Sequence, residues 1–461
     1  MLSRLQTLTM FVPLFGCVAL ACNAHAKPPV GEPPNIVMIF VDDMGPNDLG
    51  CYGSTFHRTP NIDNLSAQGM RFNQAYAACT VCSPTRVSLY TGQYPARTGT
   101  TNWIRGSAKQ FPNEKLSEPP NWNVSGLKDA WTTLPEVLKT AGYTTASFGK
   151  WHAGGSPAGH GFDQSYDDWN FNREKNQDDP KGVSRLTNMA TDFIQEHAEQ
   201  PVFVVISHFA VHTPLRFNND TRDAYANRVD QDSPQTNADY AAMVDSLDQS
   251  VGQLLNFLDQ SGKADDTLVI LYADNGGLDL EVKGRAKGPA NNDPLRGSKG
   301  SQYEGGLRVP LIVRWPGRVP ANQTSDVPII TPDFLPTLAE IAGVDPAEMP
   351  ENVDGVSFTS VLAENGSLAD RPLYWHFPHY HPGGRPGSVI RTGDQKLIYR
   401  PDDGIVELFD LAQDPSEAHD LAKEMPERAE KLNDQLQAWL ERVDAPRTIP
   451  NPNYKRRNAR Y

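Results

Sequence analysis

The sequence predicts an α/β fold in which a large, mainly parallel sheet lies between layers of helices. Two patterns support this prediction: apolar runs that are typical of buried strands, and segments with helical periodicity that separate those runs. The length is a third observation, because 461 residues suffice for one large domain and a smaller one.

The strand predictions rest on runs rich in β-branched and aromatic residues. Residues 35–41 (NIVMIFV) form an almost continuous apolar run, as expected of a strand that is covered on both faces. Similar runs occupy residues 144–148, 202–207, 267–272 and 309–315. Because ligands of such sheets bind beyond the carboxyl ends of the strands, the polar residues directly after each run become candidate site residues.

The clearest helix pattern lies at residues 240–258, where apolar residues recur on one face. After about residue 346 the patterns become shorter. They predict short strands and a closing helix, at residues 388–391, 396–399 and 405–409 and from Pro426 onwards. We therefore expect a main domain at residues 27–365 and an α+β C-terminal subdomain at 366–461, with an antiparallel sheet and a closing helix, that contributes to the substrate pocket.

Residues 1–26 are predicted to be a signal peptide. Arg4 precedes an apolar run, and Ala24 and Ala26 flank a cleavage site of the small-x-small type. The apolar run is too short to span a membrane stably, and no later run approaches that length. We expect an exported protein, periplasmic or secreted, with a lipoprotein anchored at Cys22 as the alternative.

The charge balance excludes one class of partner and complicates another. Lysine and arginine number 42 against 56 acidic residues, which gives a net charge of −14. This acidic balance argues against nucleic-acid binding through net charge. If the substrate is an anion, the protein must build a positive field locally.

Two pairs of oxygen-bearing side chains follow predicted strands. Asp42 and Asp43 come directly after the first strand, and Asp274 and Asn275 come after another. Hard oxygen ligands of this kind suit calcium or magnesium, so the pairs predict a shared divalent cation site. The alternative is that both pairs cap helices or begin turns.

The segment CSPTR at residues 82–86 predicts a helix N-terminus. Pro84 suits a first helical turn, and Gly92 ends the pattern. Cys82 then lies where the helix dipole favours an anion or a thiolate. Without the signal peptide three cysteines remain, and pairing of Cys51 with Cys79 would leave Cys82 as the odd one. Alternatively, all three are ordinary small core residues.

These motifs together resemble the formylglycine-dependent (type I) sulfatases of the alkaline-phosphatase superfamily. The segment CSPTRVSLYTG, at residues 82–92, is similar to the signature of that family, although Thr85 replaces its more usual serine. Ser298 likewise stands where a glycine is commoner. Further matching motifs follow the family's order: VDDMG (41–45), TPNIDNL (59–65), GKWH (149–152), HTP (212–214), ADNG (273–276), LRGSKG (295–300) and EGGLRVP (304–310).

The resemblance implies a modified residue and a metal ion. In this family a formylglycine-generating maturation enzyme oxidises the signature cysteine, here Cys82, to formylglycine. A cation, Ca²⁺ or alternatively Mg²⁺, would be bound by the four oxygen-bearing side chains and the modified residue. These implied metal ligands are Asp42, Asp43, Asp274, Asn275 and Cys82.

The resemblance also implies roles for five further residues. Arg86, Lys150 and Lys299 would bind the sulfate oxygens, which supplies the local positive field that the acidic chain needs. His212 would act as the general acid for the leaving sugar oxygen, with His208 as a possible competitor. His152 would deprotonate the second hydroxyl of the hydrated aldehyde, so that sulfate is expelled.

The expected reaction is hydrolysis of sulfate esters on a sulfated carbohydrate, such as an oligosaccharide derived from a polysaccharide. His376, His379 and Arg385, at the start of the C-terminal subdomain, are candidate sugar-binding residues, or else belong to an irregular structural loop. A phosphonate or phosphodiester hydrolase of the same superfamily is the main alternative, and a non-catalytic binder of sulfated glycans is a further one.

Overall fold

The computed structural model describes residues 33–104, 117–118, 126–167, 176, 178–228, 233–280, 288–364 and 366–451. The strands are β1 (Asn35–Val41), β2 (Met70–Phe72), β3 (Ala75–Tyr76), β4 (Ser117–Glu118), β5 (Thr144–Gly149), β6 (Gln164–Tyr166), β7 (Val202–Ser207), β8 (Thr267–Ala273), β9 (Leu311–Arg314), β10 (Gln323–Ser325), β11 (Ile329–Ile330), β12 (Leu373–Phe377), β13 (Gly387–Thr392), β14 (Gln395–Tyr399), β15 (Val406–Asp410) and β16 (Ile449–Pro450). The helices are α1 (Pro60–Ala67), α2 (Cys82–Thr91), α3 (Pro95–Thr98), α4 (Leu134–Thr140), α5 (Val183–Glu196), α6 (Asn219–Ala226), α7 (Ala238–Gln260), α8 (Glu304–Leu307), α9 (Phe334–Ala342), α10 (Thr359–Glu364) and α11 (Pro426–Arg442).

A mixed sheet of eight strands forms the main layer, in the order β10-β2-β9-β8-β1-β7-β5-β6. Its central strands are parallel: β1 pairs with β7 and β8, and β5 pairs with β7 and β6. Only the pairs that involve β9 are antiparallel in this sheet. The five predicted strands are all present, and the predicted mainly parallel mixed sheet is confirmed.

The helices between the strands bury the sheet. Residues of β1, β7 and β8 are almost fully buried, because they lie at the centre of the sheet and are covered by helices. Helix α7, which the apolar periodicity predicted, contacts α1, α5 and α6. The predicted helix at Cys82 is also present, and it ends at Gly92, whose φ of 65° is the left-handed conformation that glycine adopts without strain.

A second, antiparallel sheet lies in the C-terminal part of the chain, with four strands in the order β12-β13-β14-β15. Helix α11 packs against this sheet as its closing helix. The expectation of an antiparallel sheet with a closing helix is therefore confirmed, with β12 as one more strand than predicted. The boundary at residues 365 and 366 stays a prediction.

Buried charges attach the C-terminal sheet to the segment before β9. Lys396 Nζ on β14 lies 2.8 Å from Glu304 Oε1 and 2.8 Å from Glu417 Oε1. The backbone N–H of Glu304 also donates to Glu417 Oε2 at 2.6 Å. All three side chains are buried, so removing one would leave an uncompensated charge in the interior.

Two of the predicted segments lie wholly or largely outside the described residues. The predicted signal peptide at residues 1–26 is one of them, and with it go Cys17 and Cys22. The other is the basic tail at residues 454–461, which its charged sequence predicts to be a solvated chain end. Among the described helices none is both long and apolar enough to cross a membrane.

Candidate active site

The carboxyl ends of four neighbouring strands carry the predicted site residues. Asp42 and Asp43 follow β1, and Asp274 and Asn275 follow β8, its direct neighbour. Lys150 is the first residue after β5, which pairs with β7, and β7 is the neighbour of β1 on the side away from β8. The parallel arrangement therefore brings residues together that are more than a hundred positions apart in the sequence.

The oxygen-bearing side chains form one buried cluster. Asp43 N donates to Asp274 Oδ1 at 3.2 Å, and Asn275 Nδ2 donates to Asp43 Oδ1 at 2.8 Å. One oxygen each of Asp42, Asp43 and Asn275 is buried and accepts no hydrogen bond within the described part of the chain. Burial and the neighbouring Asp42 raise the pKa of Asp274 to about 7. Unsatisfied hard oxygens in a crowded anionic cluster fit a divalent cation, which would satisfy the oxygens and offset the repulsion.

Two lysines border this cluster. Lys150 Nζ lies 2.5 Å from Asp42 Oδ2, and Lys299 Nζ lies 2.5 Å from Asp43 Oδ1. Burial by itself raises the pKa of Asp42, but the positive charges, Lys150 first, lower it overall well below its usual range. Both ammonium groups also face the candidate cavity, so they can attract an anion there.

Arg86 lies beneath the cluster and does not appear in the wall of the cavity. Its guanidinium donates twice to Asp274 Oδ2, at 2.9 and 2.7 Å, and also to Lys150 O and Ser207 Oγ. The group stacks over the ring of Phe40 at 4.7 Å. In this arrangement Arg86 positions Asp274 and the backbone of Lys150, whereas the sequence predicted a direct contact with sulfate.

Cys82 lies at the start of α2 with His152 beside it. Cys82 Sγ is 3.2 Å from His152 Nδ1, and His152 Nε2 is 3.2 Å from the carbonyl oxygen of Ile104. A carbonyl only accepts, so Nε2 carries the proton of the neutral ring and Nδ1 presents its lone pair to residue 82. Burial and, after it, the positive charge of Lys150 lower the pKa of His152 to about 3.

The two candidate histidines after β7 differ in their surroundings. His212 lines the cavity: its Nε2 is 3.6 Å from Asp43 Oδ2, and its Nδ1 contacts Thr213 O. Asp42, Asp43 and His212 each offer an atom within 4.8 Å of the others, so His212 is a further possible metal ligand. His208 is fully buried and contacts Ser250 on α7 at 3.2 Å, so it does not compete with His212.

The cavity has a volume of about 610 Å³. The predicted residues Asp42, Cys82, Lys150, His152, His212 and Lys299 all line it. Residues outside the predicted set also line it, among them Trp103, Asp167, Lys181 and His381. Trp103 and Lys181 lie in the polar sequence segments 103–123 and 171–182, and the length of these segments was the one sequence signal that could have found them.

The three candidate sugar-binding residues do not line the cavity. His376 is buried and contacts Ser388 Oγ and Pro446 O. His379 is buried and contacts Thr101 Oγ1, and Arg385 forms ion pairs with two aspartates. His381, which lies beyond the end of β12, lines the cavity instead.

The three cysteines of the described chain are free thiols. Cys51 and Cys79 do not pair, so the disulfide that their number allowed is not formed. Burial raises the pKa of each of these two thiols to about 12, which makes both unreactive.

Comparison with known proteins points in one direction. The sequence profile of the sulfatase family matches residues 34–344, and a profile described as N-sulphoglucosamine sulphohydrolase, C-terminal, matches residues 298–445. A "Sulfatase" from Formosa agariphila is 34% identical, over 95% of this chain and 94% of that protein. The human N-acetylgalactosamine-6-sulfatase is 31% identical, over 75% of this chain and 68% of its own. The crystal structure of Ps i-CgsB in complex with k-i-k-neocarrahexaose is 26% identical, with a TM-score of 0.72 over 93% of this chain and 96% of that one.

Proposed function

The chain belongs to the sulfatase family, and from this premise we propose that it hydrolyses sulfate esters of a sulfated carbohydrate. The observation that carries the proposal is the meeting of Cys82, His152 and two lysines with an oxygen-rich cluster in one cavity. A protein with a net charge of −14 must bind an anionic substrate through a local positive field, and the lysines that line this cavity supply positive groups at one point.

The proposal includes a divalent cation, Ca²⁺ in the first instance. The oxygens of Asp42, Asp43, Asp274 and Asn275 would bind it, since three of these side chains each keep one buried oxygen unsatisfied within the described chain. When bound, the cation supplies positive charge beside the transferred group and lowers the pKa of an oxygen bound to it.

The proposal also includes conversion of Cys82 to formylglycine by a maturation enzyme. The Sγ atom of Cys82 marks the position that a hydroxyl oxygen of the hydrated aldehyde would take. His152 Nδ1 lies 3.2 Å from that position with its lone pair available, so His152 can accept a proton from the side chain of residue 82.

Three other residues would bind the anion and protonate the leaving oxygen. Lys150 and Lys299 border the cavity with their ammonium groups and can hold the sulfate oxygens. His212 Nδ1 contacts Thr213 O, which leaves Nε2 to carry a proton toward the sugar oxygen when the ring is protonated. Arg86 acts indirectly, by fixing Asp274.

The carbohydrate part of the proposal has two supports. Relatives are named for a sulfated amino sugar, and the Ps i-CgsB structure holds a carrageenan-derived hexaose. The cavity of about 610 Å³ has room for a saccharide rather than for a sulfate group alone, and its wall combines aromatic and polar side chains.

Export is the remaining part of the proposal. The small-x-small pattern that ends at Ala26 supports cleavage there, and the division into a catalytic domain at 27–365 and a subdomain at 366–461 is proposed with it. N-terminal sequencing of the protein recovered from its native host would give a mature chain that begins at Lys27.

The experiment is sulfate release from a panel of defined sulfated oligosaccharides. The protein is produced together with a formylglycine-generating enzyme, and the mass of the peptide that contains residue 82 verifies the conversion. We expect turnover that Cys82→Ala abolishes, with a loss of at least about 10⁴-fold, because the nucleophile is removed. Cys51→Ala is the matched thiol control and retains activity.

An aryl phosphodiester and an aryl sulfate are tested in parallel. Phosphodiester turnover far above that of every sulfate ester would make the chain a phosphodiester hydrolase. Tight glycan binding by the fully converted protein, without any turnover, would make it a glycan binder. An active enzyme with unconverted Cys82 would contradict the formylglycine part alone.

A further inference from the structure

We propose that Trp103 and His381 form a sugar wall, which binds the sugar ring that carries the scissile sulfate. Trp103 offers an aromatic face, and His381 offers a ring N–H group to a sugar oxygen. This inference rests on the proposed action on sulfated carbohydrates and assigns two residues to saccharide recognition at that site.

The two side chains meet although they come from distant parts of the sequence. Their rings are 5.6 Å apart at an interplanar angle of 84°, and both line the cavity that contains Cys82 and Lys299. A sugar ring has an apolar C–H face and a polar edge of hydroxyl groups. Two nearly perpendicular rings, one large and apolar and one with a hydrogen-bonding nitrogen, complement that shape.

Contacts outside the cavity hold Trp103 in place. Thr101 Oγ1 lies 2.8 Å from His379 Nε2, which joins the segment of Trp103 to the segment of His381. On the other side of Trp103, the backbone N–H of Ile104 donates to Ser83 Oγ on α2 at 2.9 Å. His379 therefore acts as a positioning residue, and its burial has a function although it does not line the cavity.

The hairpin that carries His381 packs closely on the backbone around Lys299. A Cβ atom on Gly300 would lie 1.8 Å from His381 Nδ1, and one on Gly383 would lie 2.1 Å from Lys299 O. Gly384 is equally restricted, since a Cβ there would lie 2.4 Å from Gly300 O. Glycine at these positions allows the approach that fixes His381 beside the proposed sulfate-binding lysine.

The ring of His381 has a defined orientation. The backbone N–H of Gly383 donates to its Nδ1 at 3.1 Å, so in the neutral ring the proton is on Nε2. Burial, together with Lys299, lowers the pKa of His381 to about 4, and the ring therefore stays neutral near pH 7. His381 thus presents a neutral N–H donor, which suits a hydroxyl or ring oxygen of a sugar.

Two amide substitutions separate recognition from structure. The amide nitrogen of glutamine reaches about as far as Nε2 of histidine, whereas that of asparagine reaches only as far as Nδ1. We measure kcat/KM for a sulfated oligosaccharide that the wild type cleaves and for 4-nitrophenyl sulfate. For His381→Gln, kcat/KM on the saccharide should stay within about threefold of the wild-type value. For His381→Asn and His381→Ala, kcat/KM should fall about tenfold more on the saccharide than on the aryl ester, as expected for the loss of one hydrogen bond.

Trp103 gives an independent arm of the same experiment. Trp103→Phe keeps an aromatic face and should lose less on the saccharide than Trp103→Ala, mainly through KM. His419→Ala serves as the matched histidine control, because this side chain is exposed and pairs only with Glu424 among the described residues.

The inference is overturned if His381→Asn matches the wild type on the saccharide while His381→Gln does not, since the ring would then only support the backbone of Gly383. Equal losses on saccharide and aryl sulfate in every variant would also overturn it. A wild type that cleaves the aryl sulfate but no saccharide would instead refute the proposed carbohydrate function, and the sugar wall with it.

Discussion

The cavity joins two regions that are built in different ways. The strand-end cluster, made of Asp42, Asp43, Asp274, Asn275 and Lys150, lies within two residues of the ends of β1, β5 and β8. The sugar wall, made of Trp103 and His381, comes from irregular segments and depends on contacts between distant parts of the chain. The rigid sheet therefore holds the proposed metal ligands and Lys150, and loops hold the proposed specificity groups.

This difference predicts that substitutions in the two regions reduce stability and activity by different amounts. The cluster consists of buried charges that compensate one another, so a single change leaves an unpaired charge in the interior. The sugar wall rests on neutral contacts, each of which contributes little. The predictions below test this contrast, from the largest expected free-energy change to the smallest.

The largest effect is expected at Arg86, which is buried and donates twice to Asp274 Oδ2. Arg86→Ala should lower the free energy of unfolding by about 3–5 kcal/mol, because the buried carboxylate loses its partner. Chemical denaturation measures this loss. Arg222→Ala, in a solvent-exposed ion pair, is the control without a measurable change. A loss at Arg86 no greater than in the control would contradict the contrast.

The next effect is expected at Lys299, whose ammonium group borders both Asp43 and the cavity. Lys299→Gln should reduce kcat by about 10²–10³-fold, as for removal of one preorganised electrostatic group. Steady-state kinetics on the cleaved saccharide measure it, with the exposed Lys139→Gln as the control. A change confined to KM would show that Lys299 stabilises the bound substrate and the transition state equally.

Removal of the metal ion should change the free energy of unfolding by an amount similar to, or smaller than, the transition-state stabilisation lost in Lys299→Gln. Ca²⁺ at about 100 times its Kd should raise the free energy of unfolding by about 2.7 kcal/mol relative to the chelated protein. Thermal unfolding with and without a chelator measures this difference. Asp43→Asn should abolish most of the Ca²⁺-dependent shift, whereas an equal shift in this variant would place the cation elsewhere.

The smallest effect is expected at Thr101, which contacts His379 at the base of the sugar wall. Thr101→Val should cost about 0.5–1.5 kcal/mol of stability, since one neutral hydrogen bond is lost. It should also reduce kcat/KM more for the saccharide than for 4-nitrophenyl sulfate. Thr140→Val removes only a hydrogen bond within its own helix, so it is the control for the loss of stability caused by replacing a threonine with valine.

The same contrast explains what the sequence could predict. The main sheet followed from continuous apolar runs, because strands buried on both faces exclude polar residues. The cluster followed from the position of Asp42 and Asp274 directly after such runs. Their convergence needs only the parallel arrangement of β1 and β8, which the alternating pattern already indicates.

The sugar wall did not follow from the sequence in the same way. His376, His379 and His381 are equally plausible in a polar aromatic segment. The pairing of β12 with β13 fixes His376, whereas His379 and His381 lie beyond it and are placed by contacts with Thr101 and Trp103. Asp167 also lines the cavity, and no local sequence pattern marks it. The sequence predicted that Arg86 contacts the sulfate, whereas its hydrogen bonds go to Lys150, Ser207 and Asp274, which lie at the ends of three different strands, and no local pattern indicates such contacts.

The buried charges around Lys396 limit how this enzyme can be recombined with its relatives. A chimaera that exchanges only the C-terminal sheet would replace Lys396, so that the buried carboxylate of Glu304 loses its lysine partner. The exchanged piece must therefore begin before Glu304, and the second family profile, which begins at residue 298, meets this condition. An exchange at that boundary would transfer His381 together with Lys299 but leave Trp103 behind, so each half of the sugar wall would come from a different parent.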